Sequence, residues 1–158
     1  METEFITCEV QDHIALVTMD RPPVNAVNAQ FLEEMMRVFD TLTDQDEVRV
    51  AILTGAGKVF CAGADLKARV AHAPQPGEFW QHSRRAREAF HSILECRVPV
   101  IAAINGPALG AGLGIVASCD LLLASEHAVL GLPEINVGLL GGGRHAMRLF
   151  PHSTARRL

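Results

Sequence analysis

The sequence has no tyrosine, and its aromatic side chains are limited to seven phenylalanines and one tryptophan among 158 residues. Such a chain offers few ring faces on which nucleobases could stack, and it has no phenol to act as a catalytic acid. The formal net charge of −4 also argues against a dedicated nucleic-acid-binding protein. We therefore predict that the chain has no nucleic-acid partner.

Cysteine is also scarce and shows no pattern typical of a structural role. Cys8, Cys61, Cys96 and Cys119 form no C-x-x-C pair, and no histidine stands at zinc-site spacing from them. The first ten residues, METEFITCEV, contain two glutamates near the start and no apolar stretch of the kind found in secretory signals. We therefore predict reduced thiols in a cytoplasmic protein, with neither disulfides nor a metal site.

One long apolar run, residues 98–124, could be taken for a membrane span because Asp120 is its only charged side chain. The turn signature Asn105-Gly106-Pro107 interrupts it, and the residues before this turn are rich in β-branched side chains. A strand, a tight turn and a buried helix rich in glycine explain the run better. We therefore predict no association with a membrane.

Apolar residues make up 49% of the chain, enough for a packed core, and we predict a single domain over residues 1–158. Period-two and helical patterns alternate along it. Strands are predicted over 5–10, 14–19, 48–54, 98–104, 121–124 and 128–132, and helices over 28–42, 79–94, 110–118 and 142–150. Asn28 is the expected N-cap of the first helix, and Phe79 and Phe90 are expected on the inner face of the second. This alternation predicts an α/β fold with parallel strand pairing after an opening hairpin.

Two glycine-rich segments match no nucleotide-binding motif. Residues 55–58 (GAGK) lack the first glycine of a P-loop and the Ser or Thr that follows its lysine, and residues 110–114 (GAGLG) lack the last glycine of the dinucleotide fingerprint. Each segment nevertheless follows a predicted strand, and small residues let backbone N–H groups approach a ligand oxygen. A helix starting near Gly110 would add its positive end there. The pattern predicts an oxyanion hole, which stabilises negative charge on a carbonyl oxygen.

Four segments together resemble the enoyl-CoA hydratase/isomerase (crotonase) family. They are residues 21–28 (RPPVNAVN), 60–66 (FCAGADL), 105–112 (NGPALGAG) and 132–134 (LPE). The resemblance implies a crotonase-like spiral of ββα units, a homotrimer or hexamer, and an acyl-CoA thioester as partner, with no cofactor beyond the coenzyme A of the substrate. Chains of that family continue further, so we expect this one to lack the C-terminal helical region.

The resemblance also assigns a site. It implies an oxyanion hole formed by the backbone N–H groups of Ala64 and Ala111, with Glu134 as the catalytic carboxylate. The residues implied along the substrate path are Ala26, Ala62, Ala64, Asp65, Leu66, Lys67 and Ala111. For Asp65 a helix N-cap is favoured over a substrate contact. Arg144 and His145, which follow three consecutive glycines, are not expected to react.

The sequence departs from hydratases of this family at one acid–base position. Those enzymes carry two glutamates, but here the first position is Gly114 and only Glu134 occupies the second. Adding water across a double bond benefits from two carboxyl groups, whereas moving the double bond needs a single base. The sequence therefore favours isomerisation of an enoyl-CoA. Hydration, the hydrolase, dehalogenase and decarboxylase branches, and a catalytically silent subunit or binding module remain as alternatives.

Overall fold

The computed structural model describes residues 3–67, 75–138 and 141–158. The strands of this described part are β1 (Ile6–Gln11), β2 (Ile14–Met19), β3 (Val50–Gly55), β4 (Val100–Ile104), β5 (Ala108–Leu109), β6 (Leu121–Ala124) and β7 (Leu130–Gly131). Its α-helices are α1 (Ala29–Thr43), α2 (Glu78–Leu94), α3 (Ala111–Val116), α4 (Gly143–Leu149) and α5 (His152–Ala155), and a 3₁₀ helix spans Pro133–Val137.

The main sheet has five strands in the order β1-β2-β3-β4-β6. β1 and β2 form an antiparallel hairpin, and every further pair in this sheet is parallel. β5 and β7 form a second, two-stranded parallel sheet. The predicted α/β architecture, with parallel pairing after an opening hairpin, is therefore confirmed. Since parallel strands end at the same edge of a sheet, the segments that follow β3 and β4 are brought together.

Helices α1 and α2 pack against one another over the sheet. α1 begins where its cap was predicted, because the Asn28 side chain accepts a hydrogen bond of 2.8 Å from the backbone N–H of Phe31. In α2 the buried residues are Ala89, Phe90 and Ile93, all in the second half of the helix. The expectation for Phe79 was wrong: its side chain is 56% exposed, because the first turn of α2 extends beyond the core.

The apolar run at residues 98–124 folds as strand, turn and short helix, as predicted. β4 leads through a turn into β5, and α3 then occupies only Ala111–Val116. Within the described residues, no helix is long and apolar enough to cross a membrane.

A buried carboxylate holds the start of β1 against α1. Glu34 of α1 accepts backbone hydrogen bonds from Phe5 (2.7 Å) and Ile6 (3.1 Å), and a third from Glu4 (3.2 Å). Gln30, one turn earlier, donates to the same carboxylate at 2.9 Å. Burial alone would raise the pKa of Glu34, but the hydrogen bonds from Phe5 and its neighbours lower the pKa below its ordinary value.

Replacement of Glu34 by glutamine is expected to lower the free energy of unfolding by about 2 kcal/mol at neutral pH, since hydrogen bonds to a charged acceptor are weakened. Because the folded-state pKa is lowered, this stabilisation is present above the unfolded-state pKa of about 4.3 and is lost as the pH falls through the folded-state value. Thermal melting between pH 7 and pH 3 should show the melting temperatures of the parent and of Glu34→Gln becoming equal as the pH falls. The control Glu33→Gln, at an exposed neighbouring position, should melt at the same temperature as the parent. If the melting temperature of Glu34→Gln stayed below that of the parent in acid, the stabilisation could not come from the charge of Glu34.

Candidate active site

The segments that follow β3 and β4 are joined by a short backbone bridge between Cys61 and Ala108. The N–H of Cys61 donates to the carbonyl of Pro107 (3.1 Å), and the N–H of Leu109 donates to the carbonyl of Cys61 (2.9 Å). Gly112 lies so close to this bridge that a Cβ atom on it would overlap the carbonyl oxygen of Cys61. Glycine is therefore required at the start of α3 for the two segments to meet.

The bridge places the predicted oxyanion-hole residues side by side. Val27 pairs with the backbone on either side of Ala64, donating to Gly63 and accepting from Asp65, both at 2.8 Å. A Cβ atom on Gly63 would lie 3.6 Å from the backbone nitrogen of Ala111. Within the described residues, neither the N–H of Ala64 nor that of Ala111 donates to a protein acceptor. Two neighbouring free donors can together bind one carbonyl oxygen.

These two alanines line a cavity of about 460 Å³. Among the other residues that sequence analysis assigned to the site, Ala62, Leu66 and Glu134 also line it. Ala26, Asp65 and Lys67 lie outside the cavity lining, so their contact with a substrate stays a prediction.

Glu134 enters the cavity from the 3₁₀ helix Pro133–Val137. A Cβ atom on Gly110 would lie 3.1 Å from its Oε2 atom, and Cβ atoms on Gly141 and Gly142 would each lie 3.3 Å from its Oε1 atom. The Oε2 atom is fully buried and has no hydrogen-bond partner within the described residues. A buried acceptor left unsatisfied costs free energy, so this carboxylate is placed for something other than stability.

The position of the missing second glutamate is closed by an aromatic ring. A Cβ atom on Gly114 would lie 3.0 and 3.1 Å from two carbon atoms of the Phe90 ring. These distances are already tight for a methyl group, so a longer acidic side chain could not be accommodated without moving Phe90. The single-carboxylate character predicted from the sequence is thus built into the packing of α2 against α3.

Asp65 forms an ion pair that connects two loops. Its Oδ2 atom accepts a hydrogen bond of 2.7 Å from the guanidinium group of Arg21, and the same group donates to the carbonyl of Ala26 at 2.8 Å. This contact with Arg21 was not among the roles predicted for Asp65, and those roles, helix cap and substrate contact, stay predictions. The ion pair holds residues 21–28 against the loop that carries Ala64.

The cysteine beside the site is not a nucleophile. Cys61 is fully buried, and this burial raises the pKa of its thiol to about 12, although a backbone hydrogen bond involving Gly63 opposes the shift. The reactive form of cysteine is the thiolate, which is negligible at neutral pH when the pKa is that high. Within the described residues, no group of three or more His, Cys, Asp and Glu side chains is arranged to hold a metal ion.

The cavity lining also includes polar residues that the sequence analysis did not assign to the site, among them Arg144 and His145, which were not expected to react; the others are Ser83 and Arg87. His145 is the most unexpected of these. Its ring meets the Phe90 ring edge to face, with centroids 4.9 Å apart, and burial lowers its pKa, assisted by the charges of Arg148, His91 and Arg144. Its only signal in the sequence is its place eleven residues after Glu134, behind a run of three glycines.

The family model described as enoyl-CoA hydratase/isomerase matches residues 9–158, which is nearly the whole chain. The chain belongs to the enoyl-CoA hydratase/isomerase family. This finding confirms the family resemblance inferred from the four sequence segments. It also explains why the segments that follow β3 and β4 carry the small residues described above, since both segments are among those four.

Solved structures with the crotonase fold superimpose closely on the chain. It matches DspI of Pseudomonas aeruginosa with a TM-score of 0.90 and 34% identity, over 99% of this chain and 65% of that one. It matches an enoyl-CoA hydratase from Bacillus anthracis with a TM-score of 0.90 and 32% identity, over 98% of this chain and 62% of that one. The predicted crotonase-like fold is therefore confirmed.

Curated relatives in the enoyl-CoA hydratase/isomerase family have different activities. A (7aS)-7a-methyl-1,5-dioxo-2,3,5,6,7,7a-hexahydro-1H-indene-carboxyl-CoA hydrolase of Mycobacterium tuberculosis is 37% identical over 92% of this chain and 58% of its own length. An (E)-benzylidenesuccinyl-CoA hydratase of Thauera aromatica is 36% identical over 97% of this chain and 60% of its own length. The chain thus spans a little more than half the length of the curated relatives it matches.

Proposed function

We propose that the protein acts on an acyl-CoA thioester, stabilising its enolate between the N–H groups of Ala64 and Ala111 while Glu134 transfers a proton. The observation that carries the proposal is the buried Oε2 atom of Glu134, which has no hydrogen-bond partner among the described residues and belongs to a side chain that lines the same cavity as Ala64 and Ala111. Family membership supports it, since the relatives that we compared act on CoA thioesters by name.

The reaction that this arrangement supports best is migration of a double bond. Glu134 takes a proton from C2 of a 3-enoyl-CoA, and the electron pair of the broken C–H bond moves onto the thioester oxygen, which the Ala64 and Ala111 N–H groups hold. The enolate then takes the proton back at C4, which leaves a 2-enoyl-CoA and restores the carboxylate. One acid–base group is enough for this cycle, and the Phe90 ring leaves no room for a second carboxylate at Gly114.

Hydration of a 2-enoyl-CoA is the second candidate. The observation that favours it is the imidazole of His145, which lines the same cavity as Glu134 and offers a second group able to exchange protons. Related proteins named as hydratases, such as the short-chain-enoyl-CoA hydratase of Clostridium acetobutylicum (36% identical), point in the same direction.

We also propose the cofactor use, cellular location and oligomeric state that the family resemblance and the sequence favour. Coenzyme A enters as part of the substrate, with no further cofactor, and the protein works in the cytoplasm. A homotrimer or hexamer is supported by exposed apolar side chains that a subunit contact would cover. Among them are Leu121, Leu123, Val129, Ile135 and Val137, each more than half exposed.

The proposal is tested by incubating the protein with a 3-enoyl-CoA in heavy water. Deuterium should enter at C2, and the double bond should move into conjugation with the thioester. Mass spectrometry measures the deuterium, and NMR shows the position of the double bond. Deuterium exchange at C2 without movement of the double bond would support formation of the enolate but would contradict the isomerase assignment. A folded protein that gave neither exchange nor migration would refute the proposal.

A further inference from the structure

His145 and Glu134 are eleven residues apart in the sequence, and both line the cavity. The carboxylate of Glu134 rests against Gly142, and His145 follows Gly142 by three residues at the first turn of α4. Both side chains line the cavity, as do the Ala64 and Ala111 backbones. The cavity therefore contains two side chains that could exchange a proton beside one pair of N–H donors.

The ring of His145 is held in place by the same phenylalanine that closes the position of the second carboxylate. Phe90 covers Gly114 on one side and meets His145 edge to face at 4.9 Å and 81° on the other. Edge-to-face packing of two aromatic rings is favourable and fixes the orientation of the imidazole. The phenylalanine that closes the position at Gly114 is thus in contact with a polar ring from α4.

The other polar groups of the cavity cannot serve as its second base. The guanidinium groups of Arg87 and Arg144 offer hydrogen-bond donors and no acceptor, and the Ser83 hydroxyl is a weak base. His145 is half-buried, and burial together with the charges of Arg148, His91 and Arg144 lowers its pKa, which favours the neutral imidazole. A neutral imidazole has one ring nitrogen free to accept a proton.

We propose that His145 is a catalytic residue that takes a proton from water, so that the site hydrates 2-enoyl-CoA thioesters in addition to moving their double bonds. The inference rests on the proposed function, because it uses the enolate held by Ala64 and Ala111 and the proton carried by Glu134. It adds a second reaction and the residue responsible for it.

The step balances with water as the only co-reactant. A ring nitrogen of His145 removes one proton from water as the water oxygen forms a bond to C3, and the C2=C3 electron pair moves onto the thioester oxygen. The enolate then takes a proton at C2 from the carboxylic acid form of Glu134. The imidazolium of His145 then releases its proton to solvent and the Glu134 carboxylate takes one up from solvent, which leaves a 3-hydroxyacyl-CoA, a neutral imidazole and the carboxylic acid from which this cycle began.

Two substrates separate this inference from the proposed function. Butyryl-CoA in heavy water reports only the enolate step, as deuterium entering at C2, because a saturated chain cannot be hydrated. Crotonyl-CoA reports water addition, as loss of the conjugated enoyl absorbance and appearance of 3-hydroxybutyryl-CoA. For His145→Gln we expect water addition to fall by about 100-fold or more, while C2 exchange stays close to that of the parent.

Two further variants guard against a merely structural effect. His127→Gln replaces an exposed histidine outside the cavity lining and should leave both rates unchanged. In His145→Ala, added imidazole should restore water addition, which packing alone would not allow. The inference is overturned if His145→Gln hydrates crotonyl-CoA at the parental rate, if both reactions fall together without rescue by imidazole, or if the parent exchanges butyryl-CoA but never adds water. A folded parent that exchanges neither butyryl-CoA nor a 3-enoyl-CoA at C2 refutes the proposed function itself.

Discussion

Replacing Glu134 by glutamine should slow deuterium exchange and double-bond migration by about 10²–10⁴-fold, the range that a positioned acid–base group contributes. Glutamine keeps the size of the side chain and its place against Gly110, but it cannot accept the C2 proton. Binding of a saturated acyl-CoA should be nearly unchanged, because the N–H groups of Ala64 and Ala111 remain. The measurements are the initial rate with a 3-enoyl-CoA and the dissociation constant for butyryl-CoA.

The matched control is Glu126→Gln, which neutralises an exposed acid on the loop after β6. Its rate should equal that of the parent, so that any loss in Glu134→Gln is attributable to the position and not to the overall charge. If Glu134→Gln kept the parental rate while folded, the base would have to be sought elsewhere, and the unpartnered Oε2 atom would lose its explanation.

Replacing Gly112 by alanine should destabilise the protein by about 3 kcal/mol, which corresponds to a fall in melting temperature of roughly 6–12 °C. The new methyl group would overlap the carbonyl oxygen of Cys61 and would lie 2.9 Å from its Cβ atom. Because these atoms belong to the bridge between the segments after β3 and β4, the backbone must separate to admit it. Circular dichroism melting measures the loss.

The rate of C2 exchange distinguishes separation of the two segments from a general loss of packing in Gly112→Ala. Separation of the two segments would pull the N–H groups of Ala64 and Ala111 apart, so C2 exchange should also fall at temperatures where the variant is still folded. Gly143→Ala is the matched control, since a Cβ atom at Gly143 would have no atom of the described residues within 4 Å. Equal melting temperatures for the two variants would show that the close approach at Gly112 is not needed.

Secondary-structure elements that depend on short sequence patterns could be predicted. The Asn28 cap, β2 and β6 were found at their predicted positions, because alternation and capping depend on neighbours in the sequence. Strand ends were less accurate. Val48 was placed in β3, but its N–H donates to Gln45 in a turn, and β3 begins at Val50. Such a boundary depends on where the neighbouring strand stops, which the local pattern does not contain.

The candidate site was predictable where the family resemblance named its residues and unpredictable where packing decides. Ala64, Ala111 and Glu134, which the resemblance assigned to the site, line one cavity, and their catalytic roles stay predictions. The contact between Phe90 and His145 joins residues 55 positions apart, and nothing near either residue indicates it. The pairing of Arg21 with Asp65 across two loops was missed for the same reason.

The two halves of the site come from different parts of the architecture. The donors at Ala64 and Ala111 lie on the segments that follow two adjacent strands of the main sheet, and the bridge between Cys61 and Ala108 holds these segments together. Glu134 and His145 lie outside that sheet, on the 3₁₀ helix and on α4, and the Glu134 carboxylate packs against Gly110, the residue before Ala111. Substitutions at Glu134 and His145 can therefore exchange one proton-transfer chemistry for another while the carbonyl-binding frame stays constant, which makes these positions, together with Gly114 on α3, places where relatives with the same fold can diverge in reaction.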